Sequence, residues 1–263
     1  MSIRVKKPVA AIVLLAALAV AAAFNGHGLG NLAQSIGNYK LARFFFGVAA
    51  LSGNGPSQNN LAGLYAEGRG GPQDYQAAAK WFQRASDNGI VQAKFNLSNL
   101  YESGTGIARN TAEAVRLLGE AATAGDVEAA FNLGNILATG RDDYPKDIPR
   151  ALHWYQRAAE VGYASAQYNL GSLYVQGLDV EKNTERAAMW FSKAAAQNHA
   201  KAQMDFGTML LQGFGVERQF ARGLKLLRMA SAQPQTASEA TRRAAVACAE
   251  TREAVEVKLC TET

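Results

Sequence analysis

YNLGSLYVQGLDVEKNTERAAMWFSKAAAQN, residues Tyr168–Asn198, is the stretch that decides the fold of this chain. It begins with Asn169-Leu170-Gly171, carries a bulky pair at Leu173-Tyr174 and stops at Gly177. A second segment starts at Asn183, places small Ala187 and large Trp190 along its length, and closes with Ala194-Ala195 before Asn198. The offsets 4, 7, 8, 11 and 12 from Asn183 fall on one side of a 3.6-residue helix. Asn183 suits an N-cap, because its side-chain oxygen accepts from the unpaired amides of the first turn. Gly177 and Asn198 suit the left-handed residue that ends a helix. The stretch reads as two short helices, A and then B, joined by a turn.

The same plan recurs on both sides. Helix B is opened by Asn38, Asp74, Asn110, Asp147, Asn183 and Gln219, spaced 36 or 37 residues apart. Its small position is Ala42, Ala78, Ala114, Ala151, Ala187 or Gly223, and its large one Phe45, Trp81, Leu117, Trp154, Trp190 or Leu226. Gly53, Gly89, Gly125, Gly162 and Asn198 close five of the six copies. Helix A is marked by Asn60, Asn96, Asn132, Asn169 and Asp205 and stopped by Gly68, Gly104, Gly140, Gly177 and Gly213. A fixed period of this length means stacked units, none able to bury its apolar face alone. Such stacks are binding surfaces far more often than catalysts.

The pattern N-L-G-x-L-Y-x-x-G followed by A-x-x-W-F/Y-x-x-A-A-x-x-G resembles the Sel-one-like repeat, a relative of the tetratricopeptide repeat, over roughly residues 38–232. Leu117 stands where the motif prefers Trp, the third repeat has an extra residue near Asp142-Asp143-Tyr144-Pro145, and Gln219 is a poor cap. The resemblance implies an all-α protein, a right-handed α-α superhelix (solenoid) of about five 36-residue helix-turn-helix repeats with half-repeat caps. Residues 25–56 form the N-terminal capping half-repeat, 57–237 the five repeats, and 238–263 a C-terminal capping helix and tail. The capping helix is expected over Ser238–Glu256, where Arg242 and Arg243 replace the leucine column.

Residues 1–24 are a different object. Arg4, Lys6 and Lys7 precede an uncharged apolar run from Pro8 to Phe24 that ends in Ala21-Ala22-Ala23. This reads either as a cleaved secretory signal peptide or as an uncleaved N-terminal membrane anchor. No cysteine follows the run, which excludes a lipoprotein anchor. Either reading takes the repeats out of the cytoplasm, and the resemblance points to the bacterial periplasm.

The chain of 263 residues has a net charge of +5, of which Arg4, Lys6 and Lys7 supply three, leaving +2 for the rest. That balance, with export, excludes nucleic acid as a partner. No catalytic, cofactor or metal site is legible, and no small-molecule substrate is expected. His27, His153 and His199 are isolated, with no acid or cysteine at ligand spacing. The Asn column repeats in every unit and reads as hydrogen bonding between helices; the Trp81, Trp154 and Trp190 ladder reads as core.

What the repeat does not dictate lies near the C-terminus. Arg222, Lys225 and Arg228, joined by Arg218, lie on helix B of the fifth repeat opposite its core residues. They are either an ordinary solvated face or a docking patch for an acidic protein partner. Cys248 and Cys260 are the only cysteines. Twelve residues along one helix span about 18 Å, and a disulfide needs Cα atoms within about 7 Å. A bridge therefore requires the helix to end near Glu250–Ala254 and the tail to fold back; otherwise both thiols are free. Two functions follow from the resemblance. One is a non-catalytic envelope adaptor that binds a sensor, secretion or polysaccharide component. The other is a hydrolase of the cysteine-rich branch, acting on peptidoglycan or β-lactams. The lack of cysteines inside the repeats counts against the second.

Overall fold

The computed structural model describes residues 25–177, 179–251 and 254–261, so the basic and apolar stretch of residues 1–24 lies outside the described residues. The chain divides into two compact units, Met1–Asp126 and Val127–Thr263. The first holds α1 (25–35), α2 (Tyr39–Leu51), α3 (Gly55–Glu67), α4 (Tyr75–Asp87), α5 (Val91–Ser103) and α6 (Thr111–Thr123). The second holds α7 (Val127–Thr139), α8 (Ile148–Glu160), α9 (Ala164–Gln176), α10 (Thr184–Ala196) and α11 (Ala200–Gln212). It continues with α12 (Phe220–Ser231), α13 (Ala237–Glu250) and α14 (Ala254–Thr261). Each unit is an all-α stack of successive helix pairs. Among the described residues there is no strand, only an isolated bridge between Arg141 and Tyr144.

The caps explain the helix boundaries. Asn38, Asp74, Asn110, Asp147 and Asn183 each accept from the amide three residues on, at 2.8–3.2 Å. Gln219 makes no such bond. All ten terminators named above have φ between 63° and 97°. Glycine adopts that conformation without strain, and asparagine with little.

Within a pair, large residues on B fill the space left by small ones on A. The Tyr155 ring covers Gly134 and the Phe191 ring covers Gly171, where an added Cβ would sit 2.7 and 2.8 Å from ring carbons. Gly207 meets Gly223 instead, and the two backbones approach closely. The deepest aromatic is thus the residue after the expected tryptophan: Phe82, Tyr155 and Phe191 are all buried. This corrects the tryptophan ladder. Trp190 is buried, but Trp81 and Trp154 are only partly so. All three carry a cation over the ring from the residue three positions on: Arg84 at 4.7 Å, Arg157 at 5.5 Å and Lys193 at 4.3 Å. One turn of helix places that cation over the indole face.

A buried glutamine joins successive pairs. Gln58, Gln167 and Gln203 donate to the carbonyls of Ala50, Ala159 and Ala195 at 3.0–3.4 Å. Each also accepts, at 2.8–2.9 Å, from a residue at the end of the following helix: Asn88, Gln197 or Gln233. The equivalent positions elsewhere are Lys94, which turns to Glu120, and Ala130, whose counterpart is Val161. Where the glutamine is present, both its donor and acceptor ends are satisfied, as a buried amide requires.

α13 stops at Glu250, so the expected continuous helix to Glu256 is interrupted. Thr251 is extended, with φ −74° and ψ 137°. α14 packs against α12 and α13, and Cys248 is joined to Cys260 with their Cα atoms 5.7 Å apart.

Candidate docking surfaces

The Asn column is committed to neighbouring helices. Asn60 donates to Asn31 at 3.3 Å, Asn96 to Asn59 at 3.4 Å and Asn169 to Asn135 at 3.0 Å. Asn135 also accepts from the Tyr155 hydroxyl at 2.7 Å. Further along, Asp205 accepts from Tyr168 at 3.1 Å and from Arg243 at 2.9 Å. Burial first, and the Asp205 charge second, push the Tyr168 hydroxyl up to about 12. It therefore stays protonated and donating at neutral pH. These side chains satisfy one another, so the column organises the stack and presents little that a ligand could take.

His27 and His199 have structural roles of the same kind. His27 lies 3.0 Å from Ser57 and 3.1 Å from Asn31. His199 caps α11 by accepting from the Ala202 amide at 3.3 Å and stacks on Tyr168 at 4.8 Å. His153 is exposed. Among the described residues, no three or more His, Cys, Asp or Glu side chains gather where they could hold a metal ion.

The four basic residues singled out at α12 have different surroundings. Arg218 forms an ion pair with Glu256 at 2.9 Å and donates to the Leu211 carbonyl at 3.0 Å. Burial raises the Glu256 carboxyl, but hydrogen bonds from Thr251 and Arg218 outweigh it and hold the group below the ordinary glutamate value. Arg228 donates to the Leu259 carbonyl at 2.9 Å. That carbonyl lies in the last turn of α14, where no helical amide remains to pair with it. Two of the four thus fasten the tail. Arg222 lies over the Phe206 ring at 5.3 Å and bonds Gln219 at 3.3 Å. Lys225 is exposed. The surface offered to an acidic partner is therefore centred on Arg222 and Lys225, with the 38 % exposed Met229 one turn beyond Lys225.

Sequence reasoning missed the tail contacts because Glu256 and Leu259 lie more than 30 residues from their arginines. It missed the glutamines because a polar residue that skips two repeats leaves no column to notice.

The Sel1 repeat family model matches six consecutive stretches, residues 14–54, 55–90, 91–126, 127–163, 164–199 and 200–234. The first takes in α1 and α2, read from sequence as a capping half-repeat. Among solved structures the chain is similar to a Sel1 repeat protein from Oxalobacter formigenes. The identity is 32 %, with 77 % of this chain and 82 % of that one covered and a TM-score of 0.67. It is also similar in fold to c5321, a protective antigen present in uropathogenic Escherichia coli strains that displays an SLR fold. There the identity is 24 %, over 85 % of this chain and 55 % of that one, with a TM-score of 0.53. No curated protein matches.

Proposed function

Because the chain belongs to the Sel1 repeat family, whose fold is a protein-interaction scaffold, we propose that it is a non-catalytic adaptor of the bacterial cell envelope. Its work is to bind a protein partner, and the partner class that fits is a sensor or a component of secretion or polysaccharide machinery. Six contiguous repeats over residues 14–234 are the observation that carries the reading. From residue 25 to residue 234 they leave no segment free to form a second kind of domain. The basic start and apolar run of residues 1–24 support placement outside the cytoplasm, in the periplasm or anchored to the inner membrane with the repeats outside.

Within this reading Arg222 and Lys225 are the contact residues, and Arg218 and Arg228 hold the tail beside them. Site-specific photo-crosslinking from position 225 in intact envelopes tests the proposal. A discrete protein adduct is expected, abolished by Arg222→Glu with Lys225→Glu while the melting temperature stays within a degree or so. Unaltered capture in that double variant returns these residues to an ordinary solvated face.

A further inference from the structure

The N-terminal end of the first unit is apolar, and among the described residues no helix covers it. α1 and α2 run antiparallel, with Gly26 beside Ala49 and Gly30 beside the Phe46 ring. One flank of this pair is taken by the next: His27 reaches Ser57, Asn31 reaches Asn60, and Arg43 lies over the Tyr65 ring. At 100° per residue, Leu32 and Ile36 project from the opposite flank of α1 and its following turn, and Leu41 and Phe44 from the matching flank of α2. These four are 60 %, 68 %, 39 % and 42 % exposed, and Leu51, at the end of α2, is 75 % exposed. In a stack, that flank is where a preceding unit would sit.

The sequence has no Asp or Glu before Glu67, and among the described residues Lys40 stands beside this flank, whereas Arg43 lies over Tyr65 on the other. Lys40 is exposed next to Leu41 and Phe44. The apolar, uncharged run Pro8–Phe24 joins α1 directly, at the end of the pair where Leu51 lies.

We infer that this flank is a seat for the surface of an anionic phospholipid bilayer. The inference rests on the envelope reading above with residues 1–24 retained. The run enters the lipid, and the glycines at 26, 28 and 30 follow at once. Leu32, Ile36, Leu41, Phe44 and Leu51 then lie at the boundary between headgroups and acyl chains. Apolar side chains with lysine and without acids are what that boundary favours. A second copy docked face to face would instead set one acid-free, lysine-bearing flank against another.

The test uses the full chain with an environment-sensitive fluorophore on Phe44→Cys, and on Asn99→Cys of α5 as the control. Cys248 and Cys260 are bridged and so do not take the label. Vesicles of phosphatidylethanolamine with phosphatidylglycerol are compared with vesicles of phosphatidylcholine, each with and without quenchers on the acyl chains. With anionic vesicles, the label at position 44 should shift to the blue and be quenched several-fold more than that at position 99. Leu32→Ser with Leu41→Ser should remove the shift at an unchanged melting temperature, and Lys40→Glu should weaken the preference for anionic lipid. A chain that floats with the vesicles while its position-44 label stays in water overturns the seat but keeps the anchor. A chain that does not float overturns both. A label already shielded before lipid is added shows that residues 1–24 or a second copy cover the flank, and overturns the inference.

Discussion

Gln233 donates to the Oε1 of Gln203 at 2.9 Å, across 30 residues, while the Nε2 of Gln203 is given to the Ala195 carbonyl. Gln203 is fully buried, so two polar groups, one on α10 and one just after α12, depend on its side chain. Gln203→Ala should cost about 1–3 kcal/mol, the usual penalty for leaving buried partners unpaired. Adding Gln233→Ala should cost less than it does in the wild type. Ala130, at the equivalent position of the third repeat, is buried, so the repeat tolerates an apolar side chain there. Urea midpoints of the two single variants and the double give the coupling, and strict additivity would contradict this account.

Tyr155 and Trp154 are neighbours in sequence, but only Tyr155 lies deep between helices. Tyr155→Ala should destabilise the second unit by about 3–5 kcal/mol, as for buried aromatics generally. Trp154→Ala should cost clearly less, because its ring is part-exposed under Arg157. Hydrogen exchange should show faster opening in α7 and α9 as well as α8 in the Tyr155 variant. Equal costs for the two variants would reverse the assignment of core.

The bridge between Cys248 and Cys260 closes a short loop, a constraint that contributes about 3 kcal/mol to the terminal helices. The denatured, unreduced chain should show no reactive thiol. Reduction should release α14 to proteolysis while leaving α7–α10 protected. Cleavage spread evenly through the second unit would mean that the bridge supports far more than its own hairpin.

His199 gives the chain a dependence on mildly acidic pH. Burial first, and Lys201 second, hold its imidazole below the ordinary histidine value. A folded-state value below the unfolded one means that the unfolded chain binds the extra proton. The contribution to stability is complete above the unfolded value, about 6.5, and is lost as pH falls through the folded value. Protonation also removes the lone pair with which Nδ1 caps α11. Stability should therefore fall between neutral pH and about pH 5, and His199→Asn, which keeps a cap, should flatten that fall. A wild-type curve no steeper than that of the Asn variant would contradict the argument.

The helix boundaries were legible because caps and terminators act locally. Asp74 and Gly89 state where α4 begins and ends without reference to anything distant. Depth in the core was less legible. Trp154 and Tyr155 project only 100° apart, and it is Gly134, on another helix, that settles which of them is covered. α1 was faint because glycines and asparagines write a weak helix; its packing against Ala49 and Phe46 supplies what propensity does not. The basic residues of α12 were legible as a group. Their division into tail holders and exposed residues was not, since it depends on α14 returning across them.

Gly70, Gly106 and Gly215 are close to the backbone of Tyr39, Tyr75 and Thr184, the first residues of α2, α4 and α10. An added Cβ would lie 2.3–2.5 Å from atoms of those residues, so each of these three loops between helices A and B rests on the helix B of the repeat before it. The segment that a duplication copies and the segment that folds as a block are therefore out of register. A deletion cut cleanly at the start of α3 or α9 removes the floor beneath the next loop as well as a pair of helices. Graft points that respect the physical block lie inside the loop, after its glycine, and chimeras joined there should keep the contact that chimeras joined at helix ends lose.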